Sequence, residues 1–324
     1  MTATPERIVD IAIGFMGAKQ LDAAARIGIF RALADGPKTV AELAAATAHS
    51  ERQVRTLADA MNGLGLLDRA AGSYSLVADS AEYLSGKGDI DLTPFIAFLG
   101  DISYKQWLGY DKTVDTDEAG TLELSEAGWA DFMAGVMTYN DLHAEQFGKA
   151  LDFAKYTSIL DFGGLAAGFA ITAMQQNPGL TTRFVYAPGF GDGIGGAAEA
   201  AGVADRISIE EVPTETATPG GEHDLVLLGG VLHRFTPEQN QDILKASRDA
   251  AQPGANLMII DFFLDQDDRQ RAIDAIHAGE YFNIDGTLVY PVEQVTAWLD
   301  GSGWKFESLV ELPGCPRVLV ATAV

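Results

Sequence analysis

The alternation of strand-like and helix-like segments in the second half of the chain constrains its fold most. Beginning at Ser158, apolar runs that read as strands are SILD, RFVYA, RISIE, DLVLLGG, NLMIIDFFL, WKFESLVEL and RVLVATA, and helix-like runs separate most of them. This alternation predicts a mostly parallel sheet with helices on both faces. The last two runs are joined through PGCP, which is too short for a helix, so they are predicted to pair antiparallel.

The first of these strands leads into a glycine turn. In SILDFGGLAAGFA the strand is followed by Asp161, then by Gly163 and Gly164, then by a helix-prone run. A turn of this kind lets the backbone approach a ligand and points free N–H groups at it. A second run, Gly191–Gly196, matches the dinucleotide pattern G-x-G-x-x-G, but it follows the second strand and precedes a short helix, AAEAA. We interpret that run as a loose loop at the mouth of the ligand pocket.

Composition excludes several classes of partner. Lys and Arg number 22 against 46 Asp and Glu, a net charge of −24, which repels nucleic acid and anionic membranes. A single cysteine, Cys315, excludes an internal disulfide and a cysteine zinc site and fits a reducing cytoplasm. The first residues lack a signal-peptide pattern, and no apolar run approaches the roughly 18 residues of a membrane span. No cluster has metal-ligand spacing, so a cytoplasmic protein without a metal is predicted.

The N-terminal part reads as a winged helix. Amphipathic helices are predicted over residues 5–34, Thr39 begins a short helix, and Ser50 with Gln53 forms a capping box for the next. Two short strands then flank Ala71 and Gly72. Residues 1–85 hold eight basic and ten acidic side chains. A DNA-binding domain needs a basic face, so these residues do not favour DNA binding.

These segments together resemble a known family. The glycine turn, the N-terminal runs DAAARIGIFRAL and TVAELA, and GGVLHRFTPEQ after the fourth strand are similar to S-adenosylmethionine-dependent O-methyltransferases of plant phenolics and bacterial polyketides, of the caffeate O-methyltransferase type. The resemblance implies an α/β fold: a class I methyltransferase (Rossmann-like) domain with a mostly parallel seven-stranded sheet, preceded by an α-helical winged-helix dimerisation domain. It implies a homodimer, with domains at 1–90, 91–155 (a helical, substrate-lining region) and 156–324.

The resemblance also suggests catalytic residues. His233 matches the histidine that serves the family as general base, while Arg234 and Phe235 replace the family's Asp and Trp. An imidazole can take and give protons near neutral pH, and His233 follows a strand at the edge where open α/β sheets bind ligands. Asp261, at the end of the fifth strand, is expected to orient His233.

The implied substrate is a small aromatic or polyketide-like molecule. Arg234 is expected to hold an anionic group on it. The other residues expected to line its pocket are Met133, Met137, Asn140, Tyr281, Phe282 and Asn283. His143 and His277 are expected to be exposed or half-exposed helix residues without a role.

The cofactor corner departs from the family pattern. Leu165 and Ala167 stand where the family has glycine, and Tyr186 or Ala187 where it has the acid that binds the ribose hydroxyls. Each missing glycine or acid is expected to weaken cofactor binding by about 1–3 kcal/mol. The favoured hypothesis is therefore a repurposed enzyme that needs no cofactor, in which His233 drives cyclisation, elimination, isomerisation or decarboxylation. One alternative is an active O-methyltransferase using S-adenosylmethionine, and another is a non-catalytic binding or partner subunit. The residues expected to hold the cofactor, if one binds, are Asp161, Gly163 and Gly164.

Overall fold

The structure is a computed structural model that describes residues 3–266 and 270–324. The chain forms two compact units, one of Met1–Gly109 with Glu123–Tyr139 and one of Tyr110–Leu122 with Asn140–Val324. The three-part division predicted from the sequence stays a prediction.

The first unit is mainly helical. Its helices are Glu6–Arg26 (α1), Ile29–Leu33 (α2), Val40–Thr47 (α3), Glu51–Gly63 (α4), Ala78–Tyr83 (α5), Thr93–Phe98 (α6) and Tyr104–Trp107 (α7), with a π-helical turn at Leu99–Ser103. Its strands are Lys38–Thr39 (β1), Leu67–Ala70 (β2) and Ser73–Leu76 (β3). They form an antiparallel sheet in the order β1-β3-β2, the wing expected of a winged helix.

Local sequence explains where these elements begin and turn. Thr39 with Glu42, and Ser50 with Gln53, form capping boxes at the starts of α3 and α4, the second as predicted. The hairpin between β2 and β3 turns at Ala71 and Gly72, which both have positive φ, 49° and 83°. That combination is typical of a tight two-residue hairpin turn.

The second unit is built on a seven-stranded sheet. Its strands are Ser158–Phe162 (β4), Thr181–Tyr186 (β5), Ile207–Glu211 (β6), His223–Gly229 (β7), Ala251–Asp261 (β8), Trp304–Glu311 (β9) and Arg317–Ala323 (β10). The remaining helices are Tyr110–Thr116 (α8), Glu126–Ala150 (α9), Gly168–Gln176 (α10), Gly191–Ala200 (α11), Pro237–Asp249 (α12), Ala272–Ile284 (α13) and Val292–Gly301 (α14), of which α9 begins in the first unit.

The sheet order is β6-β5-β4-β7-β8-β10-β9. The pairs from β6 to β8 are parallel, and β10 pairs antiparallel with both β8 and β9, which confirms the predicted topology. The direction of winding reverses between β4 and β7, and ligands of open α/β sheets bind in the crevice beyond the carboxyl ends of the strands at such a point. The end of β4 carries Asp161, and the end of β8 carries Asp261.

One local prediction is wrong. The glycines of Gly191–Gly196 form the first turns of α11 rather than a loose loop. A Cβ at Gly193, Gly195 or Gly196 would meet nothing within 4 Å. The helix therefore has open space beside these three glycines.

Two properties of the described residues bear on possible partners. None of their helices is long and apolar enough to cross a membrane. No group of three or more His, Cys, Asp or Glu side chains among them is arranged to hold a metal ion. The cytoplasmic location stays a prediction.

Candidate active site

His233 and Asp261 form the centre of the candidate site. His233 lies in a 3₁₀ turn, Leu232–Arg234, directly after β7, and Asp261 is the last residue of the neighbouring β8. The Nδ1 atom of His233 lies 3.0 Å from each carboxylate oxygen of Asp261. A carboxylate only accepts hydrogen bonds, so Nδ1 carries the proton and Nε2 has the lone pair. The pair is therefore arranged as a base held in one tautomer by an acid.

The main chain around this pair is held from several directions. The backbone N–H of His233 donates to Asp261 Oδ2 at 3.3 Å, and its carbonyl accepts from the N–H of Leu288 at 3.1 Å. The N–H of Phe262 donates to the other Asp261 oxygen at 2.9 Å. Asp261 is 2% exposed. A carboxylate so enclosed keeps one orientation, which fixes the imidazole.

The aromatic residue Tyr281 covers the imidazole. Its ring lies 4.5 Å from that of His233, centre to centre, at an angle of 31°. Of the α13 residues predicted to face the substrate, Tyr281 thus lies beside His233. Phe282 is half-buried, whereas Asn283 is buried and its Oδ1 accepts from the Thr113 hydroxyl at 3.3 Å. The contact of Asn283 with α8 is structural, and its role toward substrate stays a prediction.

The glycine corner forms as predicted, but a tyrosine occupies it. Gly163 has φ +71°, which favours glycine, and Gly164 lies against Tyr186 so closely that a Cβ there would be 2.4 Å from the hydroxyl. The Tyr186 hydroxyl donates to Asp161 Oδ1 at 2.9 Å and to the carbonyl of Ala166 at 3.0 Å. Tyr186 is fully buried. The phenol therefore braces the turn at the place where the family pattern has an acid.

Burial gives Asp161 an unusual charge state. The side chain is 1% exposed, and desolvation raises its pKa to about 7, although the Tyr186 hydrogen bond acts in the opposite direction. Its Oδ2 atom has no hydrogen-bond partner among the described residues. An acceptor buried in this way at the end of β4 is suited to a donor group supplied by a ligand.

Arg234 crosses the crevice between β4 and β7. Its Nε donates to the carbonyl of Gly230 at 2.8 Å, and its Nη2 donates to the carbonyl of Gly163. Desolvation lowers the pKa of the guanidinium, which the nearby Asp261 opposes. Arg234 thus connects the turns after the two central strands, and its predicted contact with an anionic substrate group stays a prediction.

The other predicted lining residues lie on α9. Met133 is 44% exposed and Met137 is half-buried, both in the first unit, and Asn140 is half-buried where the second unit's part of the helix begins. Their assignment to the acceptor pocket stays a prediction.

Two histidines are more buried than expected. His143 is 6% exposed, and burial lowers its pKa to about 3. His277 stacks on Phe262 with ring centres 3.9 Å apart, and desolvation lowers its pKa as well. Phe262 follows Asp261 directly, so both histidines belong to an apolar wall behind the His233–Asp261 pair and are neutral there. Helical spacing alone did not predict this wall, because it depends on which helix packs over β8.

Sequence comparison decides the family. The model of the O-methyltransferase dimerisation domain matches residues 9–86, and that of the O-methyltransferase domain matches residues 100–276. The chain belongs to the O-methyltransferase family. The predicted fold, with its dimerisation domain and mostly parallel seven-stranded sheet, is confirmed.

Curated relatives extend over most of the chain. The chain is 28% identical over 279 residues to 3-hydroxy-5-methyl-1-naphthoate 3-O-methyltransferase of Streptomyces sahachiroi, which covers 84% of this chain and 81% of that protein. It is 22% identical to the tetracenomycin polyketide synthesis 8-O-methyl transferase TcmO of Streptomyces glaucescens, over 93% of this chain and 91% of the relative.

Solved structures share the fold. CalO1, a methyltransferase in calicheamicin biosynthesis solved with SAH bound, superposes with a TM-score of 0.84 at 18% identity, over 98% of this chain and 97% of the other. Human N-acetylserotonin methyltransferase in complex with SAM superposes with a TM-score of 0.78 at 21% identity, over 99% of this chain and 98% of the other.

These comparisons correct the favoured functional hypothesis. The expectation of a repurposed enzyme that needs no cofactor is wrong, because the whole chain matches O-methyltransferases and related folds have been solved with the donor or its product bound. That expectation rested on the missing glycines at Leu165 and Ala167 and on the missing acid at the end of the second strand.

Proposed function

We propose that this chain transfers a methyl group from S-adenosylmethionine to a hydroxyl group of a small aromatic or polyketide-like molecule. The observation that carries the proposal is the position of His233 Nδ1, 3.0 Å from both oxygens of buried Asp261. This arrangement leaves Nε2 as a base of fixed direction. The S. sahachiroi and S. glaucescens relatives, named as O-methyltransferases of a naphthoate and of a polyketide pathway, support the substrate class.

The residues of the glycine corner fit the donor in two respects. Gly163, with φ +71°, turns the backbone at the end of β4, and Asp161 offers a buried carboxyl oxygen without a partner among the described residues. These two residues and Gly164 would hold S-adenosylmethionine, which supplies an electrophilic methyl group. Two residues differ from the family pattern here: Tyr186 stands where an acid would bind the ribose hydroxyls, and Arg234 stands where the family has Asp.

The chain's own residues then perform the proton transfer. His233 Nε2 accepts the proton of the acceptor hydroxyl as its oxygen becomes a nucleophile, and Asp261 stabilises the imidazolium that forms. Tyr281 covers one face of the imidazole and limits access of water to it. Arg234 would pair with an anionic group on the acceptor, such as the carboxylate of a hydroxynaphthoate.

Calorimetric titration with S-adenosylhomocysteine, followed by methylation assays on hydroxynaphthoates, tests the proposal. We expect micromolar binding, and a kcat about 10²- to 10⁴-fold lower in H233A with unchanged affinity for S-adenosylhomocysteine. Absence of binding up to millimolar ligand would contradict methyl transfer. Full activity of H233A would contradict the role of the histidine.

A further inference from the structure

The end of β5 has no side chain that can act as a carboxylate. In nucleotide-binding α/β folds, an acid about 20 residues after the glycine turn accepts hydrogen bonds from ribose hydroxyls. Tyr186 stands there, fully buried, and its hydroxyl already donates to Asp161 and Ala166. A donor molecule with a ribose diol therefore needs its acceptor from elsewhere.

The neighbouring strand supplies a carboxylate at the same level of the sheet. Glu211, the last residue of β6, is the register partner of Tyr186, and the N–H of Val212 donates to the Tyr186 carbonyl at 2.8 Å. The Glu211 side chain reaches across the end of β5, where its Oε1 accepts from the N–H groups of Gly189 at 2.7 Å and Gly191 at 3.0 Å. The carboxylate thus lies at the carboxyl edge of the sheet, beside the strand that lacks its acid.

The start of α11 is shaped around this carboxylate. A Cβ at Gly191 would lie 3.1 to 3.3 Å from the Glu211 carboxyl atoms, so any other residue there would crowd the carboxylate. Gly189 has φ +100°, which favours glycine. Hydrogen bonds from this backbone lower the pKa of Glu211, so the group is ionised at neutral pH. Gly191, which the sequence analysis placed in a loose loop, thus binds the Glu211 side chain together with Gly189.

The Glu211 carboxylate is accessible to a ligand, because its side chain is exposed. Its Oε1 accepts the hydrogen bonds of Gly189 and Gly191, and the Phe190 backbone also forms a hydrogen bond with the carboxylate. On β4, the strand on the other side of β5, Asp161 Oδ2 is a buried acceptor without a partner among the described residues. The strand ends β4, β5 and β6 thus present two carboxylates, one exposed and one buried, at the crevice edge of the sheet.

We infer that Glu211, from the third strand of the parallel sheet, accepts the hydrogen bonds of the ribose hydroxyls of S-adenosylmethionine in place of the missing acid on β5. The inference rests on the proposed function. Glu210 makes a matched control, because it precedes Glu211 on the same strand, is also exposed, and pairs with Arg183 instead.

Calorimetric titration of the full chain tests the inference with two ligands, S-adenosylhomocysteine and its 2′,3′-dideoxy analogue. We expect E211Q to bind S-adenosylhomocysteine about 10-fold more weakly than the unaltered protein, and E210Q to bind it within about twofold. For the dideoxy analogue, which lacks both hydroxyls, E211Q should lose almost no affinity. The glutamine retains an oxygen for Gly189 and Gly191, so the thermal midpoint should be unchanged.

Each other outcome overturns a defined statement. Equal losses for both ligands in E211Q would show that Glu211 only caps α11, and an unchanged affinity for S-adenosylhomocysteine would exclude it from the site. If the unaltered protein binds neither ligand, the proposed function itself fails, and the inference fails with it.

Discussion

At the scale of single residues, we expect Asp261 to act through the tautomer of His233. Its two oxygens lie 3.0 Å from Nδ1 and leave Nε2 as the base. In D261N the amide would present an N–H or a single oxygen to the imidazole, so a fraction of the histidine would adopt the wrong tautomer. We expect kcat to fall about 100-fold or more while KM for the acceptor changes little, measured by steady-state methylation. A loss confined to KM would assign Asp261 to substrate binding instead.

Asp161 makes the stability of the fold depend on pH. Its folded pKa is raised from 3.8 to about 7 by desolvation. Between these values the folded protein keeps a proton that the unfolded chain has lost, so the stability that the raised pKa contributes is complete below pH 3.8 and is lost as pH rises to about 7.

The variant D161N removes this titration. Between pH 4 and 7 the thermal midpoint of both proteins is measured by calorimetry. The fall in D161N should be about 5 °C smaller than the fall in the unaltered protein. Parallel curves for the two proteins would show that Asp161 is ionised throughout.

At the scale of elements, the glycine turn is held by close packing on β5. A Cβ at Gly164 would lie 2.4 Å from the hydroxyl and 2.9 Å from the Cζ atom of Tyr186, which is fully buried. G164A should therefore destabilise the protein by about 1–3 kcal/mol, measured by urea unfolding. The control is G193A, because a Cβ there meets nothing within 4 Å and lies inside α11, where alanine stabilises a helix by about 0.5–1 kcal/mol. Equal effects of the two substitutions would contradict the packing described for the turn.

A buried ion cluster holds the start of α13 to β10. The Arg317 guanidinium contacts Asp265 at 2.7 Å and Asp274 at 3.4 Å, and Arg271 contacts Asp274 at 3.3 Å. Arg317 is 3% exposed and Asp274 is fully buried, so the removal of one partner leaves a charge without compensation. We expect R317M to lower the free energy of unfolding by about 3–5 kcal/mol, and R271M, at a more exposed partner, to lower it less. An R317M protein as stable as the unaltered one would show that the cluster contributes nothing net.

At the scale of the whole molecule, the first unit exposes an apolar face on α1. Ile8 is 74% exposed, Ile11 75% and Phe15 50%, at spacings of three and four residues that place them on one side of the helix. The dimerisation-domain match over residues 9–86 predicts a second copy of the chain as the partner of this face. Exposed apolar surfaces of this kind mark interfaces between proteins.

The variant I11E with F15E should convert the dimer into a monomer. The expected readout is light scattering coupled to size exclusion, which should give half the mass, with the circular dichroism spectrum unchanged. The control places lysine at Asp10, which is exposed on the same helix but is not three or four residues from any member of the apolar face, and should leave the dimer intact. A dimer that survives both apolar substitutions would place the interface elsewhere.

Much of the fold could be predicted from local patterns. The sheet was predicted from the apolar runs, because a strand that is buried on both faces of a sheet needs apolar residues in succession. The capping box at Ser50 and the turn at Ala71 and Gly72 were predicted because they depend on residues only a few positions apart. His233 was predicted to be the base because GGVLHRFTPEQ resembles the family motif and follows a strand, and this role stays a prediction.

Only the tertiary structure decided how the site is completed. The contact between His233 and Asp261, 28 positions apart, was expected from the sequence, whereas the contact between Tyr186 and Asp161, 25 positions apart, was not. Whether Tyr186 faces the glycine turn, or Glu211 reaches over β5, depends on strand register and side-chain direction. Neither quantity is encoded in local periodicity, because both are set by long-range packing. The sequence by itself therefore determined the elements and indicated His233 as the candidate base, and the tertiary structure determined that Tyr186 packs against the glycine turn and that Glu211 reaches Gly189 and Gly191.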